Sequence, residues 1–524
     1  MVKGDIMKTF YVTTPIYYSS GSVHIGNSYS TIVCDVFARY HRLKGDDTFF
    51  LTGMDEHGQK IENTAKEQNL TPQALVDGIA EQTSKLWEKL NISNDDFIRT
   101  SEERHTKIVQ DVFEKLIAKG DVYLDEYEGD YCIFDESFFT KTQMTEPGIC
   151  PDCNRPTVKL KEEGYFLKLK KYEKRLLDYI NDNPDFIQPA TRRNEVVSFI
   201  EQGLEDLCVS RTSFTWGVPV KSNPKHVIYV WIDALMNYIT ALGYGSDDDS
   251  KYKKYWINGD KVAHVVGKDI LRFHAIYWPI LLMALDIPLN FKLYVHGWFL
   301  MKEGKMSKSK GNTVYPLPVA ERYGLDALRL YLVKEMPFGN DALFTHELFV
   351  NKFNVLLAND LGNLVSRTIS MINKYFNGNV SKANITNEFD ADLESVIKNA
   401  IDTYIESFDN FKFQIGLNSV WDIISRGNKY IDETTPWVLA KDESKVEELK
   451  NVMYHLFEVL RIVGILITPV MPDTAKVIFE ELGLKDNISF SDLNFGKTKE
   501  SKVIEKPIVL FKRLDWKEEE KNAL

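Results

Sequence analysis

The sequence predicts an α/β protein: a doubly wound parallel-sheet domain split by an insertion, then an all-α helical bundle. Three observations predict it. A strand, a helix and a second strand fill residues 8–52, and so tight a βαβ unit makes a parallel sheet the default. The α/β pattern stops near residue 121 and resumes near residue 227, with a stretch of different texture between. After about residue 349 the periodicity is helical throughout.

Residues 8–14 (KTFYVTT) are aromatic and β-branched and stop at Pro15, a strand signature. Beyond a serine and glycine loop, Tyr29, Val33, Val36, Phe37 and Tyr40 fall at helical spacing up to Gly45. Residues 47–52 (DTFFLT) form a second strand ending at Gly53. Ligands of parallel sheets sit beyond the carboxyl ends of the strands. Those ends carry Tyr17, Tyr18 and His24, then Asp55, Glu56 and His57. The intervening stretch holds short aromatic runs (Tyr127, Tyr131, Phe134, Phe138, Phe139), a Pro147-Gly148 turn and Cys150-Pro151-Asp152-Cys153, so it reads as an insertion with its own fold. Strands are expected again at 227–231, 262–266 and 293–296. Met453, Leu456, Phe457, Leu460, Val463, Leu466 and Ile467 mark the apolar stripe of a helix in an antiparallel bundle. The charged end, Lys517-Glu518-Glu519-Glu520-Lys521, reads as a fraying terminus.

Composition narrows the function classes. At about 150 residues per domain, 524 residues give about three to four domains. With 44% hydrophobic and 27% charged residues, each can bury a core, which argues against a disordered, collagen-like or disulfide-stapled chain. A net charge of −12 rules out a globally basic nucleic-acid coat while leaving room for a local basic groove. Five cysteines, two of them in a C-x-x-C pair, suit a reducing compartment and a metal site. The polar N-terminus leads into no signal segment, and the apolar runs near residues 280 and 459 are broken by Asp286 and Arg461. A cytoplasmic protein with no membrane partner is expected.

Two motifs carry chemistry. His24-Ile25-Gly26-Asn27 lies between the first strand and its helix. Helix N-termini attract anions, and a histidine donor beside a glycine suits a polyphosphate; alone, the same residues also make an ordinary βα turn. Lys305-Met306-Ser307-Lys308-Ser309, between Gly304 and Gly311, suits a mobile loop closing on phosphates; alone, it is also a solvated basic loop. Together, in this order on a split α/β sheet, the pair resembles the class I aminoacyl-tRNA synthetases. Within that class the chain most resembles the methionyl-tRNA synthetases, over essentially its whole length. The matching blocks are Thr14-Pro15-Ile16-Tyr17-Tyr18, Thr52-Gly53-Met54-Asp55-Glu56-His57-Gly58, Tyr229-Val230-Trp231-Ile232-Asp233-Ala234, Gly267-Lys268-Asp269-Ile270, the lysine loop, Gly362-Asn363-Leu364-Val365-Ser366-Arg367 and Pro436-Trp437.

That resemblance implies a Rossmann-like catalytic domain, an anticodon-binding bundle and a two-step ligase. The carboxylate of L-methionine attacks the α-phosphate of ATP, releasing pyrophosphate. The 3′-terminal adenosine ribose of tRNA(Met), the initiator included, then takes the methionyl group. Mg²⁺ accompanies ATP, and the protein's work is alignment and charge stabilisation. By the same resemblance His24 and Asn27 donate to the phosphates beside Gly26, and Lys305 and especially Lys308 neutralise the departing pyrophosphate. Lys268, Asp269, His296 and Gly297 complete the ATP site, and Asp55 holds the ammonium of methionine. Ile16, Tyr18, Trp231, Leu235, Tyr238, Ile270 and His274 match the thioether pocket, where apolar walls with aromatic edges are wanted. Trp231, Leu235 and Tyr238 share one helix face, so core packing is the alternative for Leu235 and Tyr238, as a satisfied core histidine is for His274. Asn363, Arg367 and Trp437 match anticodon-reading positions.

One position departs from the family: its motif usually ends in a second histidine, where this chain has Asn27. Asparagine donates a hydrogen bond but carries no charge, a loss of ~1–2 kcal/mol or about tenfold in rate. A non-catalytic tRNA-binding paralogue would show the same change, and a nucleotidyl-transferring enzyme without tRNA is the other alternative; ATP–pyrophosphate exchange with each amino acid separates the three. The family often carries zinc knuckles in the insertion. Here Cys132, Asp135, Cys150 and Cys153 have that rhythm, with Asp135 where cysteine is usual. A Cys₃Asp set accepts Zn²⁺ less tightly than four thiolates, and a turn without metal has the same pattern. The expected divisions are a catalytic domain at 1–118 and 230–299, the insertion at 119–229, a lysine-loop subdomain at 300–349, the anticodon-binding bundle at 350–495 and a tail at 496–524. Many relatives have a further C-terminal dimerising module; the chain stops before one fits, so a monomer is expected.

Overall fold

The computed structural model of the chain describes residues 7–19, 21, 23–134, 137–139, 144, 146–151, 153–301, 304–305, 313–485 and 489–521. Two units emerge from the packing, Met1–Val23 with Thr48–His296, and His24–Asp47 with Gly297–Leu524. Among the described residues no helix is long and apolar enough to cross a membrane.

The first unit is built on a sheet of β1 (Thr9–Thr13), β2 (Tyr17–Tyr18), β3 (Asp47–Asp55), β4 (Asp96–Arg99), β5 (Ile187–Gln188), β6 (Lys261–Gly267) and β7 (Lys292–His296). The order is β2-β3-β1-β6-β7-β5, with β4 beside β3. β1 pairs in parallel with β6, β6 with β7, β7 with β5, and β3 with both β2 and β4. Its strands read as near-continuous apolar runs because helices cover both faces; Tyr11, Leu51, Ile98, Val262, Val266, Leu293 and Val295 lie in one core with Trp256, Trp278 and Phe291.

Four details differ from the sequence reading, the first being that the charged end read as fraying is held as the helix Trp516–Glu519, where Glu519 accepts from the Tyr323 hydroxyl at 2.6 Å and Trp516 meets His346 edge-on. Gly53, read as the end of its strand, lies inside β3: a Cβ there would stand 2.0 Å from the Ile98 carbonyl oxygen, so only glycine lets β4 lie this close. The strand expected at 227–231 is confined to Val227–Ile228, and a helix begins at Val230. The face shared by Trp231, Leu235 and Tyr238 faces the core, and that burial outweighs the local preference for extended backbone. The edge strand β5 comes from within residues 119–229, a stretch that also forms an antiparallel sheet of Ser137–Phe139, Val122–Cys132, Val158–Leu167 and Leu207–Cys208 and the helices Leu169–Asp182 and Ala190–Ile200.

The second unit holds the helix Ile25–Lys44 together with the helical half of the chain. Phe37 of that helix lies 3.5 Å from Phe411 and 4.3 Å from Phe413, ring centre to ring centre. Arg329, fully buried, donates to Asp35 at 2.6 Å and to the Val470 and Pro469 carbonyls at 2.8 and 3.1 Å. The helices Asp390–Asp409 and Phe413–Thr434 form a hairpin, and Val446–Ile467 is buried along most of its length. Arg461, which interrupts that apolar run, is matched by Glu458 at 2.7 Å.

Candidate functional site

In the first unit the carboxyl ends of neighbouring strands bring most of the expected residues to one edge of the sheet. Register pairs Tyr18 with Asp55 and Gly267 with His296. Asp55 is 7% exposed at the end of β3. Lys268, Asp269 and Ile270 form a single 3₁₀ turn directly after β6. A Cβ on Gly267 would lie 2.4 Å from Asp269 Oδ1, so this glycine admits the carboxylate to the strand end.

The apolar pocket residues fall in two layers. Ile16, Tyr18, Trp231 and Ile270 are half-buried against the core, while Leu235, Tyr238 and His274 are buried behind them. His274 Nδ1 lies 2.9 Å from the Ile270 carbonyl, which only accepts, so Nδ1 carries the proton. Nε2 then accepts from the Tyr238 hydroxyl at 2.7 Å. Burial pushes this imidazole down to about 4, against a partial upward pull from the Ile270 hydrogen bond, so the ring is neutral. Phe273, which the sequence reading passed over, stacks on Trp231 at 3.6 Å and 7°. Its only sequence signal is its place between Ile270 and His274.

Behind the strand ends lies a polar knot. Asp233, fully buried, meets His57 Nδ1 at 2.6 Å and His105 Nε2 at 2.9 Å, and His105 Nδ1 meets Thr240 Oγ1 at 2.7 Å. Burial alone would raise the Asp233 carboxyl; the two imidazoles outweigh it and hold the group at about 2.

In the second unit His24 caps the helix Ile25–Lys44. Its Nδ1 accepts from the Gly26 N–H at 3.1 Å, and Asn27 Oδ1 accepts from the His24 N–H at 3.3 Å, a reciprocal capping box. With Nδ1 accepting, a neutral His24 ring carries its proton on Nε2. A Cβ on Gly26 would come within 3.0 Å of His24 Cε1, so glycine gives the ring its seat. Gly297 is tighter still, its Cβ position being 2.2 Å from Asn340 backbone atoms. Lys305 pairs through its backbone with Leu300, and Lys308 lies outside the described residues.

Farther along this unit the helix Asn363–Phe376 begins at Asn363, after a π-helical segment Phe353–Gly362. Asn363 is exposed, and Arg367, one turn on, reaches Asp432 Oδ1 at 3.0 Å. Trp437 is 43% exposed, too open to serve as a core brace.

The sulfur atoms of Cys132, Cys150 and Cys153 lie within 4.8 Å of one another, with 3.5 Å between those of Cys132 and Cys153. Tetrahedral zinc at about 2.3 Å from each thiolate needs sulfurs about 3.8 Å apart, so the set fits that ion. The Cys150 N–H donates to the Arg155 carbonyl at 2.8 Å and the Asn154 N–H to the Cys150 carbonyl at 2.9 Å, a tight turn that aims two thiols inward. Asp135, the expected fourth ligand, lies outside the described residues.

Comparison with known proteins agrees with this geometry. The family model for class I tRNA synthetases (M) matches residues 10–161 and 154–369, and that for the anticodon binding domain of methionyl tRNA ligase matches residues 380–523. The fold and these matches define a class I tRNA synthetase. The methionine–tRNA ligase of Oceanobacillus iheyensis is 54% identical, over 97% of this chain and 78% of its own length; that of Bacillus subtilis is 53% identical, over 98% and 79%. A crystal structure of Mycobacterium tuberculosis methionyl-tRNA synthetase bound by methionyl-adenylate superposes with a TM-score of 0.92 at 39% identity, covering 96% of this chain and 100% of that one. The chain belongs to the methionine–tRNA ligase family.

Proposed function

We propose that the residues at the strand ends bind methionine and the adenosine of ATP, and that the His24-Ile25-Gly26-Asn27 motif serves the phosphates. The reaction is methionine–tRNA ligation. The methionine carboxylate displaces pyrophosphate from ATP, and methionyl then passes from AMP to the 3′-terminal adenosine of tRNA(Met). The observation that carries this assignment is the register of the sheet, which sets Asp55 beside Tyr18 and Gly267 beside His296.

In this reading Asp55, buried at its strand end, holds the substrate ammonium through a charge-assisted contact. Ile16, Tyr18, Trp231 and Ile270 contact the thioether, backed by Leu235 and the Tyr238–His274 pair. Lys268, Asp269, His296 and Gly297 serve the nucleotide. His24 and Asn27, which share the capping box, donate to phosphate oxygens. Lys305 and Lys308 offset charge on the departing pyrophosphate, to which Mg²⁺ comes bound with ATP. Neither step needs a covalent enzyme intermediate, so alignment and charge stabilisation do the catalysis. Zn²⁺ held by Cys132, Cys150 and Cys153, with Asp135 as fourth ligand, supplies a structural cross-link to the insertion and takes no part in the chemistry. Asn363, Arg367 and Trp437 read the anticodon, whose unstacked bases suit an open indole with amide and guanidinium donors. The chain acts in the cytoplasm.

ATP–pyrophosphate exchange tests this reading. Methionine supports rapid exchange, and leucine or cysteine supports little. Equal exchange with leucine overturns the pocket assignment, and exchange without aminoacylation of a CAU-anticodon tRNA overturns the anticodon assignment.

A further inference from the structure

The Asp233 knot is a buried polar cluster of the first unit that the reading above does not use. It ties together three pieces of backbone. His57 stands two residues beyond Asp55, in the turn that ends β3. Asp233 sits in the helix Val230–Leu235, between Trp231 and Leu235. His105 belongs to the first turn of the helix Glu103–Ala118, and its partner Thr240 ends the helix that carries Tyr238.

The donors and acceptors can be assigned in full at the carboxylate. It accepts only, so His57 Nδ1–H and His105 Nε2–H both point at it. His105 Nε2–H is shared with the Asp233 backbone carbonyl at 3.1 Å, which fixes the ring against the helix itself. The neighbouring acid is already committed: Glu56 receives Arg99 Nε at 2.7 Å and the Ser101 hydroxyl. On its other side His57 meets the Trp216 ring edge-on at 5.5 Å. Apolar residues of the same volume would fill this space but would leave the turn free to rotate against the helix. Hydrogen bonds of fixed direction do not.

From this geometry we infer that Asp233 is a positioning residue for methionine: through His57 and His105 it holds the Asp55 turn and the Trp231–Tyr238 helices at the spacing the substrate needs. The ammonium end and the thioether end of the pocket are anchored to one carboxylate. This inference rests on the pocket assignment proposed above.

The test is steady-state ATP–pyrophosphate exchange on the full chain, with methionine and ATP varied separately. Asp233→Asn keeps the volume and loses one acceptor. Its KM for methionine rises tenfold or more, while KM for ATP stays within about twofold and kcat within about threefold. His57→Ala behaves likewise, whereas His57→Asn, which restores a donor where Nδ1 stood, returns KM for methionine to within about threefold of the parent. A purely structural role predicts lost thermal stability with both KM values unchanged, or moved together, and no rescue by His57→Asn; either result overturns the inference. The His57 pair decides the matter if Asp233→Asn does not fold. Asp55→Asn and Trp231→Ala are measured alongside. If neither changes KM for methionine, the pocket assignment fails and the positioning role with it. If both raise it and neither Asp233→Asn nor His57→Ala does, the positioning role alone fails.

Discussion

Asn27→Asp separates the two jobs that Asn27 performs. The side-chain oxygen accepts from the His24 N–H at 3.3 Å, and in the proposed reading the amide nitrogen donates toward the phosphates. Aspartate keeps the acceptor and removes the donor. In the first turn of the helix Ile25–Lys44, which otherwise has no acidic residue, a carboxylate also gains ~0.3–1 kcal/mol from the helix dipole. The folded protein is therefore as stable as the parent or slightly more so. The activation step behaves oppositely. Losing the donor costs ~1–2 kcal/mol. A carboxylate about 5 Å from a phosphate charge, at an effective dielectric near 20, adds ~3 kcal/mol of repulsion. The sum, ~4–5 kcal/mol, is a fall of about a thousandfold in the rate of adenylate formation. Asn27→Ala gives the complementary pattern: a stability loss of ~0.5–1 kcal/mol from the cap and a rate loss of about tenfold. Asn27→His keeps a donor and gains charge, so it holds or raises the rate. Thermal melting and single-turnover formation of methionyl-adenylate read the two quantities independently. Parental activation by Asn27→Asp would refute the reasoning, because the amide would then not face the phosphates.

Trp437→Ala should leave thermal stability nearly unchanged, since the indole is 43% exposed, and should cut aminoacylation roughly ten- to a hundredfold without altering pyrophosphate exchange. Parental aminoacylation by the folded variant removes Trp437 from anticodon reading. Metal analysis of the purified protein should find about one zinc per chain, lost in Cys150→Ser; chelation should speed amide exchange in the Val122–Cys132 and Val158–Leu167 ladder before the central sheet. A chelator that leaves the ladder unchanged refutes a structural metal there. His274, held near 4 against an ordinary 6.5, stays neutral in the folded chain while the unfolded chain takes up its proton first as pH falls. Stability is thus level above pH 6.5 and declines below it, by about 2 kcal/mol from this group between pH 7.5 and 5. Urea titrations at the two pH values should show His274→Gln losing that share of the decline, and an unchanged decline refutes the buried neutral ring.

The sequence reveals the parallel-sheet class because β1 and β3 are apolar, β-branched and separated by one periodic helix. It also reveals the strand ends, because a parallel sheet has only one edge to offer a ligand. It misjudges Val230 and Trp231, where β-branched and aromatic residues signal a strand locally and only the longer spacing to Leu235 and Tyr238 betrays the helix. It misreads Gly53 because glycine punctuates chains more often than it admits a neighbouring strand. The strand β5 is two residues long and leaves no pattern to find. Among candidate site residues, the motif blocks contain Ile16, Tyr18, Asp55, Trp231, Lys268, Asp269 and Ile270 but not Leu235, Tyr238, His274 or His296, and the knot joining His57, His105 and Asp233 spans 176 positions in sequence between its outer members. Pairings of that reach belong to the tertiary fold, and a single sequence carries no spacing rule for them.

The company kept by the helix Ile25–Lys44 bears on how this chain can be divided. It is encoded between two strands of the first unit, yet its aromatic face packs on Phe411 and Phe413, and its buried Asp35 is neutralised by Arg329. Severing the polypeptide after His296 would leave that helix with the apolar flank of Phe37 in water and Asp35 without Arg329, though still paired with Arg39 at 2.7 Å in its own helix. A free-standing amino-terminal half therefore exposes apolar surface that the whole chain buries. The helical half thus supplies the packing partners of the helix that His24 caps.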